Sequence, residues 1–433
     1  MVIVSYTVLY RIHCIGCRCS QPFFKKQMNE TSTNFDSSIV ENPVQFIAEL
    51  EENIGDFFLK LVSDAIGMSV NDIFISPADS RCDVSVRRLG IVEPVCQLTT
   101  EEGARLVSFI KAKAEMDIAQ RFQPQDGRVS VTLEEGGHYD LRVATLPSLF
   151  GECLTLRVLD PKKTKFGIEE IGFHPTNMRR VISLLDKPGG LILVAGPTGT
   201  GKTTTLYSVI RQLNDGKRKI HTLEDPIEYV LDGVVQSQIN PRRGVDYADL
   251  LRGVLRQSPD IIMVGEIRDS ITAEILVRAA NTGQLVLATS HSASTAEAIE
   301  ALLTFGVKAQ FLASALLGVI SQRLVRPLCP ECKIPLDDEC TKTQVYMPHG
   351  CPSCRQTGYC GRVAVGEVML VSPTIRKLIH NAAPVSTIRQ VAIDEGMIDL
   401  RTDAQDKVDK GLTSADEILR TVPADNLGIE PAV

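Results

Sequence analysis

The sequence predicts a multidomain α/β protein whose second half contains a parallel β-sheet. The chain has 433 residues, which is enough for about three domains. Near residue 167 an irregular mixture of strands and helices gives way to a regular alternation of strand and helix, the pattern of a parallel sheet. Two pairs of cysteines follow, and the chain then continues with helical periodicity. These three observations determine the expected fold class.

The first part of the chain is expected to contain a leader and one packed domain. Residues 1–42 mix Cys, Ser, Thr and Asn without a periodic pattern, which favours a flexible leader. Apolar residues at helical spacing predict helices over Pro43–Ile66 and Glu101–Ile118. The predicted strands are Asp72–Ser76, Asp83–Arg88, Arg128–Leu133, His138–Ala144 and Cys153–Leu159. We therefore expect an N-terminal α/β domain at 43–160 and a charged linker at 161–168.

The second part is divided by the same criteria. We expect the parallel-sheet domain at 169–326, a cysteine-bearing insertion at 327–362 and a helical region at 363–433. The helical periods of that last region are Pro373–Ile379, Ser386–Ile393 and Ser414–Leu419. The apolar segment Phe311–Ile320 is too short to span a membrane, which needs roughly 18 apolar residues. It is therefore interpreted as a buried helix.

A glycine-rich loop is the clearest chemical motif. It follows the apolar run Leu191–Ala195 and matches G-x-x-x-x-G-K-[ST]. Glycines allow successive N–H groups to curl around a β-phosphate at a helix N-terminus. Lys202 is expected to reach the β- and γ-phosphates, and the Thr203 hydroxyl to hold Mg²⁺. The predicted nucleotide-binding residues are Gly196, Pro197, Thr198, Gly199, Thr200, Gly201, Lys202, Thr203 and Thr204.

Three later strand-like runs end in residues suited to phosphate hydrolysis. One run leads into an acidic box that includes Glu224 and Glu228. Clustered carboxylates at a strand end suit the binding of metal and water. A second run ends in Gly265 and Glu266, so that Glu266 supplies the carboxylate there. A third run leads to His291, which is suited to contact the γ-phosphate or a neighbouring subunit.

The cysteines predict a zinc site. Two C-x-x-C pairs are separated by 18 residues, an arrangement typical of a closed tetrahedral Cys₄ site. The predicted zinc ligands are Cys329, Cys332, Cys351 and Cys354. A second group near the start of the chain has irregular spacing and is not predicted to bind metal; it contains His13, Cys14, Cys17 and Cys19.

Charge and hydropathy exclude some classes of protein. The net charge of −7 argues against nucleic acid as the main partner, because a duplex binder normally carries a basic surface. The apolar segment Met1–Tyr10 lacks the basic start and the small-residue cleavage site of a secretory signal. We therefore expect a cytoplasmic protein with reduced cysteines.

Together these motifs resemble the secretion superfamily of hexameric ATPases, and specifically the branch of type II secretion and type IV pilus assembly ATPases. The resemblance extends from about residue 43 to residue 421. Its main motifs are Gly196–Thr203, Glu224–Tyr229, Leu255–Asp269, Thr289–His291 and Cys329–Cys354. Further matches are Pro124–Arg128, Asp140–Val143, Gly151–Arg157, Glu395–Met397 and Gly411–Leu419.

The resemblance implies an N-terminal PAS-like domain, a RecA-like P-loop ATPase domain, a zinc-binding insertion and a helical C-terminal region. It implies a homohexamer, cytoplasmic and peripheral on the inner membrane, that uses ATP, Mg²⁺ and Zn²⁺ to assemble a type IV pilus or a type II secretion pseudopilus. The implied partners are a polytopic inner-membrane platform protein, an associated cytoplasmic docking protein and, indirectly, pilin or pseudopilin subunits. Only about 42 residues precede the match, so we expect docking without the large extra N-terminal domain of many relatives.

The resemblance also assigns roles to individual residues. Arg142 and Arg157 would reach the nucleotide phosphates, or instead serve as salt-bridge partners. A carboxylate of the acidic box would position the attacking water, with Glu224 and Glu228 both candidates. Glu266 would be the Walker B acid.

Two departures and several alternatives stay open. Gln284 and Ala301 stand where the family usually has histidine and arginine. A pilus retraction, DNA-uptake or conjugation ATPase of the same superfamily is an alternative, although the paired cysteines favour assembly. A nucleotide-binding scaffold without turnover is a further alternative, which the full set of acids disfavours.

Overall fold

The computed structural model describes residues 53–133, 137–159, 166–240, 243–337 and 344–427. These residues form two compact units, one ending at Leu159 and the other beginning at Phe166. The leader expected at 1–42, with its group of His13, Cys14, Cys17 and Cys19, lies outside the described residues. Most of the expected linker also lies outside them.

The first unit is a six-stranded antiparallel sheet with two helices packed in one core. The strand order is β3-β2-β1-β6-β5-β4. Buried apolar residues alternate with more exposed ones along β2, as expected for a sheet covered on one face. The elements are α1 (Ile54–Gly67), β1 (Asp72–Pro77), β2 (Cys82–Arg88), β3 (Ile91–Leu98), α2 (Thr100–Lys113), β4 (Gln125–Thr132), β5 (His138–Ser148) and β6 (Gly151–Leu159).

Strand β3 was not expected from the sequence, because Pro94 interrupts its pattern. Proline is tolerated at the edge of a sheet, where its missing N–H costs no ladder hydrogen bond. β3 is such an edge strand, and its register with β2 shifts between Val84 and Ser85.

Helix α1 begins after Asn53, whose side chain accepts a hydrogen bond from the N–H of Gly55 at 2.9 Å.

The second unit is built around a seven-stranded sheet of order β15-β12-β7-β11-β10-β8-β9, in which β15 alone is antiparallel to its neighbour. Its first half comprises α3 (Pro175–Leu185), β7 (Gly190–Ala195), α4 (Lys202–Leu213), β8 (Ile220–Glu224), β9 (Val235–Gln238), α5 (Tyr247–Val254), β10 (Ile261–Val264), α6 (Ser270–Asn281) and β11 (Leu285–Ser290). The later elements are α7 (Thr295–Thr304), α8 (Ala309–Ala315), β12 (Leu316–Val325), β13 (Ile334–Asp337), β14 (Gln344–Met347), β15 (Val363–Leu370), α9 (Pro373–His380), α10 (Val385–Asp394), α11 (Leu400–Asp409), α12 (Ala415–Thr421) and α13 (Ala424–Leu427).

Helices cover both faces of this sheet. Helices α5 to α10 pack on one face, and α3 and α4 pack on the other. The strands β7, β8, β10 and β11 are buried along their whole length, and β7 and β10 are accordingly apolar throughout. Because these strands are parallel, their carboxyl ends meet at one edge of the sheet, where a ligand site is expected.

Two expectations about this unit are wrong. The segment Phe311–Ile320 is not one helix, because α8 ends at Ala315 and β12 begins at Leu316. Gly318 lies where a Cβ would be 2.7 Å from the Met369 carbonyl oxygen, so the absence of a side chain lets β12 approach β15 closely. The region expected to be helical from residue 363 begins instead with β15, which extends the main sheet. Short apolar runs do not distinguish a buried strand from a buried helix.

In the part of the chain that the structure describes, no helix has both the length and the hydropathy to cross a membrane.

Candidate active site

The glycine-rich loop joins β7 to α4 at the carboxyl edge of the sheet. Gly196, Gly199 and Gly201 have φ angles of 149°, 81° and 85°, in the region that glycine alone adopts easily. A Cβ on Gly196 would lie 2.7 Å from both the Gln322 carbonyl oxygen and Thr200 Oγ1. The loop tip is exposed, and α4 begins at Lys202. The backbone therefore has the shape that a phosphate-binding loop requires.

Lys202 places a positive charge inside the loop. Its Nζ donates hydrogen bonds to the carbonyl oxygens of Gly196 at 2.6 Å and Pro197 at 3.0 Å. Burial lowers the pKa of Lys202 to about 8, while the Glu266 carboxylate opposes this shift and Arg323 adds to it. Thr203 and Thr204 follow in the first turn of α4 and are exposed. The chemistry of this donor set fits a triphosphate.

The acidic box places Glu224 and Glu228 in different surroundings. Glu224 is buried at the end of β8, and its carboxylate accepts hydrogen bonds from Tyr207 Oη, from Thr222 Oγ1 at 2.5 Å and from Gln236 Nε2 at 3.0 Å. Glu228 is half-buried, and its N–H donates to Tyr207 Oη at 3.3 Å. Three donors hold the Glu224 carboxylate inside the protein, whereas the Glu228 side chain is nearer to solvent.

Glu266 lies between two cationic or ionisable groups. Its Oε1 is 2.5 Å from His291 Nε2, and its Oε2 accepts a hydrogen bond from Arg268 Nε at 2.9 Å. Arg268 also donates through Nη1 to Asp225 Oδ2 at 2.8 Å. Burial alone would lower the pKa of Arg268, but the carboxylates of Glu266 and Asp225 raise it. Arg268 therefore joins the acids that follow β8 and β10.

Gly265 lies in close surroundings at the end of β10. A Cβ on Gly265 would lie 3.2 Å from the Tyr247 hydroxyl and 3.3 Å from the Leu223 carbonyl oxygen. The Gly265 carbonyl accepts a hydrogen bond from Thr289 Oγ1 at 2.5 Å. This bond joins the ends of β10 and β11 and so brings the residues that follow them together.

Arg142 and Arg157 belong to the first unit, on the adjacent strands β5 and β6. They are direct cross-strand partners, and Asp72 on β1 is the next residue in the same row. Arg157 Nε donates to Asp72 Oδ1 at 2.8 Å and so forms a salt bridge within the first unit. Contacts of either arginine with a nucleotide stay a prediction.

The four predicted zinc ligands lie together. The sulfur–sulfur distances are 3.8 Å for Cys329–Cys351, 3.8 Å for Cys332–Cys354 and 3.7 Å for Cys351–Cys354. Zn–S bonds of about 2.3 Å in a tetrahedron require sulfurs about 3.8 Å apart. Burial raises the pKa of Cys354, but N–H donors from Cys351 and Gly358 bring it down to about 6. The cluster fits one zinc ion.

The cysteine insertion and Arg326, the residue before it, pack against α12 and the turn that precedes it. Arg326 Nη2 donates to the buried carboxylate of Glu417 at 2.7 Å, and its guanidinium lies 4.1 Å from the centre of the Tyr359 ring. Tyr359 Oη is 2.7 Å from Ser414 Oγ. The insertion thus supports α12 and the turn before it.

The structure adds functional candidates that the sequence motifs missed. Tyr207 contacts the acidic box, Gln322 contacts the glycine-rich loop, and Arg323 contacts the loop that follows β11, all through buried polar groups. The available signal was the polar sequence Ser321-Gln322-Arg323 within an otherwise apolar segment. Its position became informative only once β12 was placed beside β7.

Comparison with known proteins identifies the family. The family described as "Type II/IV secretion system protein" matches residues 48–420. Type II secretion system ATPase E of Vibrio cholerae is 38% identical over 371 residues, covering 83% of this chain and 73% of that protein. Type IV pilus assembly ATPase PilB of Acinetobacter baylyi is 39% identical over 385 residues, covering 86% of this chain and 66% of that protein. The crystal structure of the pilus retraction motor PilT with bound ADP is 25% identical, with a TM-score of 0.58, and the match covers 86% of this chain and 97% of that one. The chain described here therefore belongs to the family of type II/IV secretion system proteins and is an ATPase of that family.

Proposed function

We propose that this chain uses ATP hydrolysis to power the assembly of a type IV pilus or a type II secretion pseudopilus. The observation that carries the proposal is the placement of Glu266, between Arg268 and His291, on the sheet edge that also bears the loop with Lys202. The names of the relatives with 38% and 39% identity support the biological process.

The residues at this edge suit the steps of hydrolysis. Backbone N–H groups of residues 196–203 would bind the phosphates, and Lys202 would exchange its contacts with Gly196 and Pro197 for phosphate oxygens. The Thr203 hydroxyl would hold Mg²⁺, which when bound screens the phosphate charge. Glu266 is the candidate for the strand-end acid. Glu228 is the better candidate for orienting the attacking water, because Glu224 is buried and has three donors.

The wider setting is part of the same proposal. The chain would act as a homohexamer at the cytoplasmic face of the inner membrane, on a polytopic platform protein and its cytoplasmic docking partner. The pilin or pseudopilin subunits would be its indirect cargo. Its net charge of −7 supports protein rather than nucleic acid as the main partner. Arg142 and Arg157 are proposed as further phosphate contacts, and the four clustered cysteines as zinc ligands.

Retraction is the alternative that experiment must separate from assembly. We expect that deletion of the gene in its own host abolishes surface pili, or secretion of the exported protein, and that wild type restores them. Lys202→Ala should fail to restore them, whereas Lys217→Ala, a change of an exposed lysine beyond α4, should succeed. A deletion strain that keeps its pili but no longer retracts them would contradict assembly.

A further inference from the structure

Strand β12 contains three consecutive polar residues that are all buried. Ser321, Gln322 and Arg323 are 0%, 1% and 3% exposed. Ser321 pairs with Ala195, the last residue of β7, so the three lie directly beside the start of the phosphate loop. Buried polar side chains cost free energy unless they are hydrogen-bonded. Their partners therefore indicate why they are there.

Gln322 connects the two ends of the segment that binds phosphate. Its Nε2 donates to the Thr200 carbonyl at 2.7 Å, and its Oε1 accepts from Thr205 Oγ1 at 2.8 Å. Lys202 and Thr203 lie between these two attachment points. A glutamine side chain offers both a donor and an acceptor, so one amide satisfies both sides. Gln322 thus sets the spacing between the loop and the first turn of α4.

Arg323 holds the loop that follows β11. Its Nη1 donates to the Gln322 carbonyl at 2.9 Å, and its Nη2 donates to the Ala293 carbonyl at 2.9 Å. Ala293 lies two residues after His291. Ser321 Oγ donates to the same carbonyl at 3.2 Å. The loop that carries His291 is therefore fastened to the strand that also supports the phosphate loop.

A carboxylate on the neighbouring strand completes the attachment. Glu367 Oε1 accepts hydrogen bonds from the Thr295 N–H at 2.8 Å and from Thr295 Oγ1 at 2.9 Å, at the start of α7. Burial lowers the pKa of Arg323, an effect that the charges of Glu367 and Glu297 oppose. Because the Arg323 donors bond backbone carbonyls and its side chain is buried, it is suited to fix the loop rather than to contact a ligand.

We propose that Gln322 and Arg323 are positioning residues for ATP hydrolysis, acting on opposite sides of the site. Gln322 sets the phosphate loop around Lys202 and so controls ATP affinity. Arg323 sets the loop of His291 and so controls turnover, because misplacement of a reacting group by about 1 Å can lower a rate about 100-fold. This inference rests on the proposed function as an ATPase.

The two roles predict separable kinetic effects. Gln322→Met keeps the chain length but loses both hydrogen bonds, and it should raise the Kd of a fluorescent ATP analogue about tenfold. Arg323→Lys cannot reach both carbonyls, and it should lower kcat about tenfold with Kd changed by less than about twofold. Gln322→Asn, too short to span both partners, is the second variant if Gln322→Met does not fold.

Matched controls remove side-chain hydrogen bonds to backbone carbonyls that belong neither to the phosphate loop nor to the loop of His291. Asn177 is a buried amide whose Nδ2 donates to the carbonyls of Gly366 at 2.7 Å and Ile398 at 3.2 Å. Arg180 donates to the carbonyls of Val368 at 3.2 Å and Glu395 at 2.9 Å. Asn177→Leu and Arg180→Lys should lower the melting temperature as the test variants do, yet leave Kd and kcat within about twofold.

A double-mutant cycle distinguishes positioning from general stability. If Arg323 acts through His291, then Arg323→Lys should lower kcat in the wild-type background but not in His291→Ala. Equal effects in both backgrounds would overturn this role of Arg323, and a Gln322→Met affinity equal to that of Asn177→Leu would overturn the role of Gln322. The proposed function fails separately, if wild type and Lys202→Ala hydrolyse ATP at the same rate.

Discussion

His291 Nε2 lies 2.5 Å from Glu266 Oε1, although 25 residues separate them in the chain. The contact arises because β10 and β11 are adjacent parallel strands and each residue follows the carboxyl end of its strand. The bond between Thr289 Oγ1 and the Gly265 carbonyl holds these two strand ends together. This contact fixes the carboxylate for which we propose a role in hydrolysis.

This relationship predicts that binding and hydrolysis of ATP can be separated by mutation. Lys202→Ala should lose hydrolysis and most of the affinity for ATP, because the positive charge inside the loop disappears. Glu266→Gln should still bind ATP but turn over about 100-fold more slowly. Steady-state ATPase rates and analogue binding on the purified variants provide the measurement. An unchanged rate in either variant would contradict its assignment.

His291→Ala tests the other side of the same contact. Removal of the imidazole leaves the phosphate loop intact, so we expect unchanged ATP affinity and a kcat lowered about tenfold. His380→Ala is a suitable control, because His380 lies in the last turn of α9 and is not part of this cluster. A loss of affinity equal to that of Lys202→Ala would show that His291 binds substrate instead.

The lowered pKa of Lys202 predicts a pH dependence of ATP binding. Burial lowers this pKa from 10.5 to about 8, so the ligand-free side chain loses its proton as the pH rises through 8. Between pH 8 and 10.5 the unfolded chain retains this proton while the folded one does not, so this group makes folding more favourable as pH rises there. ATP phosphates favour the charged ammonium, and binding above pH 8 should therefore take up a proton.

Calorimetry in two buffers of different ionisation enthalpy measures this uptake directly. We expect wild type to take up close to one proton when it binds ATP. Between pH 8 and 9.5 its affinity for ATP should fall by up to about tenfold for each pH unit. Lys202→Arg keeps a permanent charge and should show no such uptake. Identical proton uptake by wild type and Lys202→Arg would show that another group titrates.

The cysteine cluster predicts one zinc per chain. Sulfur–sulfur distances of 3.7 to 3.8 Å match a tetrahedral Cys₄ site, and elemental analysis of protein purified without chelator should find the metal. Cys332→Ser should lose it and loosen the packing of Arg326 and Tyr359 on α12, with ATP binding retained. Cys153→Ser, in the other unit, should retain full zinc content. A zinc-free wild type would contradict the site.

The departures at Gln284 and Ala301 lead to a prediction about assembly. Gln284 precedes β11, at the opposite end of that strand from His291, and a strand of six residues spans about 20 Å. A basic side chain at position 284 is therefore too far away to contact the phosphate loop of the same chain. We expect the combined variant Gln284→His and Ala301→Arg to raise turnover only at concentrations where a ring of six forms.

ATPase rate against protein concentration, with mass by light scattering, tests this expectation. Wild type should be slow at every concentration and need its membrane platform for stimulation. A monomer with full activity throughout would contradict the ring. A combined variant no faster than wild type in the assembled state would show that these two positions do not limit turnover.

Much of the site follows from sequence because its motifs are local. The loop Gly196–Thr203 requires glycine at positions with positive φ and a lysine at the start of a helix, and all of these requirements lie within eight consecutive residues. The cysteine pairs carry the geometry of their own site in their spacing. For the same reason the family could be identified from these segments.

The tertiary structure decided what depends on contacts between distant residues. β3 contains Pro94 and is a strand only because it lies at a sheet edge, and Leu316–Val325 is a strand only because β7 and β15 pair with it. The separate environments of Glu224 and Glu228 depend on Tyr207 and Gln236, from other elements.

The sequence by itself therefore determined the chemistry of the nucleotide loop and of the cysteine cluster, since each is encoded by a short run of residues. The pairing of Glu266 with His291, and the joining of the His291 loop to the phosphate loop by Gln322 and Arg323, were decided by the order of strands in the sheet. Strand order reflects the burial of both sheet faces at once, and no local pattern contains that information.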